Sequence, residues 1–308
     1  MPATIAGVRV TMEAGAEPRR AVIFTRFSVV TGGGFAHTPE WYQRWRKFLP
    51  KAVRSPLRKR SAPATVADKC RMLFATERLR RRFHLFETIA LPSIAGQEDR
   101  RFLHVVLHSP LLPGPWRKRL DDLAATHGFR SIAIGPEEDI GERCRAIVAE
   151  LAEALPGDDA RIASVRFDDD DALAVDFVGR LLARAAFAAH GDVISFASGF
   201  TLHLVDGRPP RLHPSHAPLN AMGLSLISAD PSAPATIWDA GNHARTARER
   251  PVTLMPDPGM YVCTSHIHND SLRFSRRSGR KSRPLADAAS ILAERFDIDA
   301  EALGDATP

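Results

Sequence analysis

Residues 161–185 read RIASVRFDDDDALAVDFVGRLLARA. Arg161 to Phe167 is a short apolar and β-branched run that predicts a buried strand. Leu173, Phe177, Leu181, Leu182 and Ala185 then recur at helical spacing and predict the helix that follows. Four consecutive carboxylates, Asp168 to Asp171, lie between the two. Adjacent carboxylates repel, so such a run needs helix dipole, solvent or a cation to offset the charge. Aspartate is also a good N-cap and first-turn residue, but one or two would be enough for capping. A strand running straight into the cluster sets it at the carboxyl edge of a sheet, where ligands bind in open α/β folds. Hard oxygen ligands of this kind suit Mg²⁺ or Mn²⁺, ions that carry diphosphates by bridging their oxygens. Asp168 and Asp170, at i and i+2, can share a side of an extended segment. Asp171 is then free to serve the helix start, and Asp169 is the least constrained of the four.

Working outward, the chain alternates strand-like and helix-like segments. Ala21 to Val30 predicts a first strand that ends at Gly32-Gly33-Gly34, and residues 35–65 read as an insertion carrying two tryptophans and a basic block. Helical pattern runs from Val66 to about Ile89. It is followed by a strand over Phe102–His108, a helix over Trp116–His127, a strand over Phe129–Ile134 and a helix over Glu137–Leu155. The last of these has Glu137, Glu138 and Asp139 in its expected first turn, where the dipole favours anions. Strands alternating with helices imply an α/β fold with a mainly parallel, Rossmann-like central sheet. Beyond Gly191 the character turns β-rich and irregular until a final helix over Leu285–Arg295. The expected organisation is a tail over residues 1–20, a ligand-binding α/β half over 21–190 and an acceptor-side half over 191–270. A basic segment and terminal helix complete it over 271–308.

Composition is ordinary for a globular protein, with 44% hydrophobic and 25% charged residues in 308. No membrane-spanning apolar run and no secretory leader pattern is evident, so a cytoplasmic location is expected. Cys70, Cys144 and Cys263 are far apart and set among apolar residues, which predicts core thiols. The net charge of +6 is concentrated in two blocks. No acidic residue falls between Trp41 and Ala67, and Arg273, Arg276, Arg277, Arg280, Lys281 and Arg283 form the second block. They read either as solvated loops or as faces turned to phosphate or lipid headgroups, the latter implying peripheral membrane contact. No nucleic-acid motif accompanies them, so no nucleic-acid partner is expected.

The segment RFDDDDAL, Arg166 to Leu173, resembles the Arg-Leu-Asp-x-Asp-Asp-Ala stretch of the rhamnosyltransferase family, a group similar to the GT-A nucleotide-diphospho-sugar transferases. TRF at Thr25 to Phe27 resembles that family's first strand, and RFHLFETIALPSIAGQ at Arg82 to Gln97 its Leu-Phe-Glu and Ser-x-x-x-Gln segment. VISFASGF at Val193 to Phe200 and HIHN at His266 to Asn269 are similar to its later strand and its His-x-x-Asn. The resemblance implies a GT-A-like fold and a glycosyltransferase using Mn²⁺ or Mg²⁺ and a nucleotide-diphospho-sugar donor. A glycan, lipid-linked or polysaccharide acceptor goes with it. It assigns Asp168 and Asp170 to the metal with His266 as a third ligand and His268 as its rival. Arg26, Arg82, Asp168 and Asp169 fall around the nucleotide, although each arginine is equally suited to pairing with a carboxylate. Ser93 and Gln97 carry a structural role in that family. An acceptor base is expected after LSLIS, but Ser228 and Ala229 stand there and Asp230 is the closest acid. Two other classes stay open on the residues alone: a metal-dependent phosphoester hydrolase and a non-enzymatic polyanion-binding protein.

Overall fold

The computed structural model describes residues 20–30, 65–155, 160–205, 208–241, 246–266 and 283–303. The expected insertion up to residue 64, the basic block from Arg273 to Lys281, and the His268 and Asn269 expectations lie outside the described residues.

Strand β1 is Ala21–Phe27. Helices α1 (Val66–Leu73) and α2 (Thr76–Leu85) follow, and α2 continues through a π turn, Phe86–Ala90, into α3 (Leu91–Ala95). Then come β2 (Phe102–His108), α4 (Gly114–His127), β3 (Arg130–Ala133), α5 (Ile140–Glu153), β4 (Ile162–Asp168) and the two-residue β5 (Ala172–Leu173). Helix α6 (Phe177–Ala185) leads to β6 (Val193–Phe196), β7 (Ser198–His203), β8 (Arg211–His216) and β9 (Ser225–Ser228). A 3₁₀ turn (Ile237–Ala240), α7 (Thr246–Glu249), β10 (Val252–Met255), β11 (Tyr261–Ser265) and α8 (Ala288–Phe296) complete the order.

Seven strands form the main sheet in the order β10-β6-β9-β4-β1-β2-β3. All its pairings are parallel except those of β9, which runs against both β4 and β6. The expected α/β fold with a mainly parallel sheet is therefore what the chain adopts. Residues from both sides of position 190 supply this sheet, so the two expected halves share one hydrophobic layer. Strands β5-β11-β7-β8 form a second, four-stranded sheet.

Alternation along β1 explains the two cores. Ala21, Ile23 and Phe27 face a layer with Phe83, Phe86, Phe167 and Phe177, whereas Val22 and Phe24 face Cys144, Ile147, Val148 and Leu151 of α5. Helix α5 begins later than its acidic residues suggest. Asp139 is the cap, its carboxylate accepting the Glu142 N–H at 2.9 Å, and Glu137 and Glu138 precede the helix. Of the three free thiols, Cys144 and Cys263 are buried as expected and Cys70 is only partly so. Among the described residues no helix is long and apolar enough to cross a membrane.

The aspartates do not open a helix. Ala172, Leu173 and Ala174 are fully buried, and β5 pairs with β11 through Tyr261↔Leu173 and Val262↔Ala172. That pairing inserts a strand between the cluster and α6, which starts only after Asp176. Hydrophobic burial of these three apolar residues outweighs local capping preference here.

Beneath the sheet, His104 of β2 is buried against Phe129, and its Nε2 lies 2.9 Å from Thr25 Oγ1. Burial, with a smaller contribution from the His127 charge, brings its imidazole down to about 3. Between pH 6.5 and 3 the unfolded chain thus binds a proton that the folded chain refuses, so stability rises with pH through that window. At pH 5 the penalty is about 2 kcal/mol relative to pH 7 and above. Urea unfolding of wild type and His104→Gln at pH 7 and pH 5 should show the wild type losing about 2 kcal/mol more than the variant. Equal losses would contradict a neutral, buried His104.

Candidate active site

The sheet reverses its strand order at β1, with β2 on one side and β4 on the other, so the crevice above this pair is the switch point at which open α/β sheets bind ligands. Parallel register sets Arg26 of β1 opposite Asp168 of β4, and both sit at the carboxyl edge.

Each aspartate then finds a different partner. Phe167 is drawn into the core, and Asp168 emerges beside two guanidinium groups, Arg26 Nη2 at 3.6 Å and Arg166 Nη2 at 3.9 Å. Asp169 turns inward and is fully buried. Arg82 of α2 grips it with a fork, Nε donating to Oδ2 at 2.8 Å and Nη2 to Oδ1. Burial drives the Asp169 carboxyl up to about 6 against the pull of Arg82, which leaves it ionised at neutral pH. Asp170 Oδ2 lies 2.9 Å from His266 Nε2, and both groups are buried. Burial works against the charged form of Asp170, but the His266 hydrogen bond and the Arg82 charge outweigh it and hold the carboxyl below its usual range. Asp171 accepts the Thr264 N–H at 2.9 Å. Burial, reinforced by the Asp170 and Asp168 charges, pushes Asp171 well above its usual range.

Two expectations are corrected by these contacts. Asp171 does not serve a helix start, because β5 intervenes and its carboxyl is turned to the backbone of β11. Asp169, expected to be the least constrained, is a fully buried member of an ion pair. Arg82 is thereby committed to a carboxylate. Ser93 and Gln97 do have the expected structural role. Ser93 Oγ accepts the Leu173 N–H at 3.3 Å, and Gln97 donates to Ala174 O at 2.8 Å and accepts the Val178 N–H at 3.1 Å. They fasten α3 to the segment that carries the aspartates.

Asp230 is the bet that geometry removes. Strand β9 is antiparallel to β4 with Ser228 opposite Ile162, so the chain leaves β9 at the amino edge of the sheet. Six residues of β4 at about 3.3 Å each separate that edge from Asp168, roughly 20 Å. Asp230 is half-buried there and accepts from Ser232 N–H and Oγ.

Among the described residues no group of three or more His, Cys, Asp or Glu side chains stands ready for a metal. The Asp170–His266 pair is nevertheless a workable two-ligand set. Neighbouring ligands of an octahedral ion at about 2.1 Å are about 3 Å apart, and Mg²⁺-type ions take one or two protein ligands and complete their shell with water and phosphate oxygens. The 2.9 Å separation of Asp170 Oδ2 and His266 Nε2 matches that spacing.

Two residues at this edge escaped sequence reasoning. Arg166 stands in the quoted aspartate segment, inside its expected strand, and carries no site role in the sequence reading. Trp238, in the 3₁₀ turn, has no sequence signal for its place. Its ring lies under both guanidiniums, with Arg26 Cζ 5.2 Å and Arg166 Cζ 5.8 Å from the centroid.

The family profile described as "Putative rhamnosyl transferase" matches residues 55–278, well over half of the chain. The chain belongs to that family. Two solved structures are similar to it. One is Staphylococcus aureus TarS 1-349 in complex with UDP, at 14% identity and TM-score 0.32, covering 58% of this chain and 56% of that one. The other is S. aureus TarS, at 12% identity and TM-score 0.36, covering 80% of this chain and 37% of that one. The chain thus spans between 37% and 56% of the length of these proteins. No curated protein sequence matches it.

Removing Arg82 tests the buried pair. Arg82→Met strands an ionised Asp169 in the interior and should lower unfolding free energy by about 3–5 kcal/mol. The double variant with Asp169→Asn should recover much of that loss in the same denaturation experiment, a coupling that additive effects would not produce.

Proposed function

We propose that the chain is a metal-dependent glycosyltransferase that moves a sugar, with rhamnose the one suggested by the family, from a nucleotide diphosphate to an acceptor hydroxyl. The observation that carries this reading is the buried Asp170–His266 pair at the switch-point edge, directly beside Asp168 and its two arginines. Mn²⁺ or Mg²⁺ held by Asp170 and His266 would supply neutralisation of charge on the departing diphosphate. Asp168 lies at the junction between that pair and the cationic side of the crevice. The Arg82–Asp169 pair and the Asp171–Thr264 contact hold the loop that carries Asp170 in place.

Inversion at the sugar carbon is the favoured stereochemistry. Asp169, Asp170 and Asp171 are each engaged by a fixed partner, and Asp168 stands between two guanidiniums that hold it as a charge partner and not as a nucleophile for a covalent glycosyl intermediate. A single displacement by the acceptor hydroxyl requires no such intermediate. The acceptor is a glycan, a lipid-linked saccharide or a polysaccharide, and the basic blocks favour one that carries negative charge or is held at a membrane surface.

A thermal-shift screen of UDP-, GDP- and dTDP-sugars with and without Mn²⁺ tests the proposal. The matching donor at about 100 times its Kd should raise the midpoint by about 5 °C with metal present. Asp170→Ala should abolish the metal-dependent part of that shift. A chain that ignores every nucleotide sugar in Mn²⁺ while binding polyanions in a salt-sensitive way is not a transferase of this kind.

A further inference from the structure

Arg26 and Arg166 differ from the arginines of the molecule whose forks are spent on a carboxylate. Arg82 with Asp169, Arg130 with Glu150, and Arg101 with Asp99 all make direct hydrogen bonds. Arg26 and Arg166 instead share one carboxylate, Asp168, and approach it only to 3.6 and 3.9 Å, beyond hydrogen-bond reach. Among the described residues the Nε atoms of both are buried and meet no acceptor. Two positive charges thus converge on one negative charge with most of their donors unspent.

What keeps the two like charges together is the Trp238 ring, which attracts both guanidiniums through its electron-rich face. The ring is itself immobilised. Its Nε1–H donates to Cys144 Sγ at 2.9 Å, Thr236 caps the 3₁₀ turn by accepting the Trp238 N–H at 3.3 Å, and the neighbouring Asp239 is held by Arg145 at 2.5 Å. The arrangement costs charge repulsion, because a single carboxylate, Asp168, stands against two guanidiniums. The Arg26 side chain is 38% and that of Arg166 20% exposed, so a ligand in the crevice can reach both. Planar forks with unspent donors beside a switch point fit phosphate oxygens.

We propose that Arg26 and Arg166, aligned on Trp238, form a metal-independent seat for the diphosphate of the nucleotide donor, distinct from the Asp170–His266 pair on the other side of Asp168. The proposal rests on the transferase reading and deepens it. It divides the crevice into a cationic side that grips phosphate directly and an anionic side that binds through a cation. Asp168 forms the seam, and phosphate oxygens compete with its carboxylate for the two arginines. Arg82 has no part in this seat, since Asp169 occupies its fork.

The test is calorimetric titration of inorganic pyrophosphate, and separately of UDP, GDP and dTDP, into the full chain in EDTA. Wild type should bind pyrophosphate without metal. Arg26→Met and Arg166→Met should each weaken that binding at least tenfold, and Arg166→Lys should fall between, because lysine keeps the charge and loses the fork. Should Arg166→Met fail to fold, the more exposed Arg26→Met carries the test. Wild-type affinity in a folded Arg26→Met, or no pyrophosphate binding by wild type, overturns the seat. If pyrophosphate binds with the expected arginine dependence but no nucleotide sugar binds even with Mn²⁺, the seat stands and the transferase reading fails.

Discussion

The carboxyl edge of this protein is organised by one constraint, the compensation of four adjacent negative charges within a few residues of the core. Desolvation penalises each carboxylate, and close neighbours add to the cost. The fold resolves this by sending the four side chains to four different partners: the Arg26 and Arg166 guanidiniums, the Arg82 fork, the His266 imidazole and the Thr264 amide. Those partners come from β1, β4, α2 and the end of β11. The cluster therefore ties together segments from most of the chain's length.

Packing elsewhere serves the same end. Phe83 follows Arg82 on α2 and packs against Phe27 at 4.6 Å between ring centroids, while stacking on Trp116 at 5.2 Å. These aromatic contacts fix α2 against β1 and so aim Arg82 at Asp169. Ser93 and Gln97 act on the other flank, where they satisfy backbone groups of the segment after the aspartates. Buried backbone donors and acceptors must be paired, and here two side chains do what a regular ladder cannot do across a turn. The result is an ion-pair cluster rigid enough to hold Asp168 and the buried Asp170–His266 pair at the carboxyl edge.

The opposition of charge across the crevice follows from strand alternation. Arg166 and Asp168 share one face of β4 and project towards Trp238, whereas Phe167 points into the aromatic core. Past the strand end the chain turns, and Asp170 swings to β11 and His266. A single short stretch of backbone thereby presents positive and negative groups to neighbouring parts of one ligand. Such a surface is suited to a molecule that joins a phosphate to a less charged partner.

Much of this was legible in the sequence. Strand β2 falls where the FLHVVLH run predicts it, the alternation of apolar strands and amphipathic helices implies the parallel sheet, and the aspartate run marks its carboxyl edge. Periodicity and burial report such features because they are local. The partners of those aspartates are only partly legible: the sequence points to His266, but it leaves Arg82 open between phosphate and carboxylate and offers Asp230 at the acceptor. Tertiary structure decided both, since the pairing of Arg82 depends on how α2 packs across 87 residues of chain, and the place of Asp230 on β9 running antiparallel to β4. Trp238 and the two arginines on it belong to the same category. Sequence sets which residues are charged and which are apolar, whereas the direction of each strand and the packing of each helix determine which charges meet.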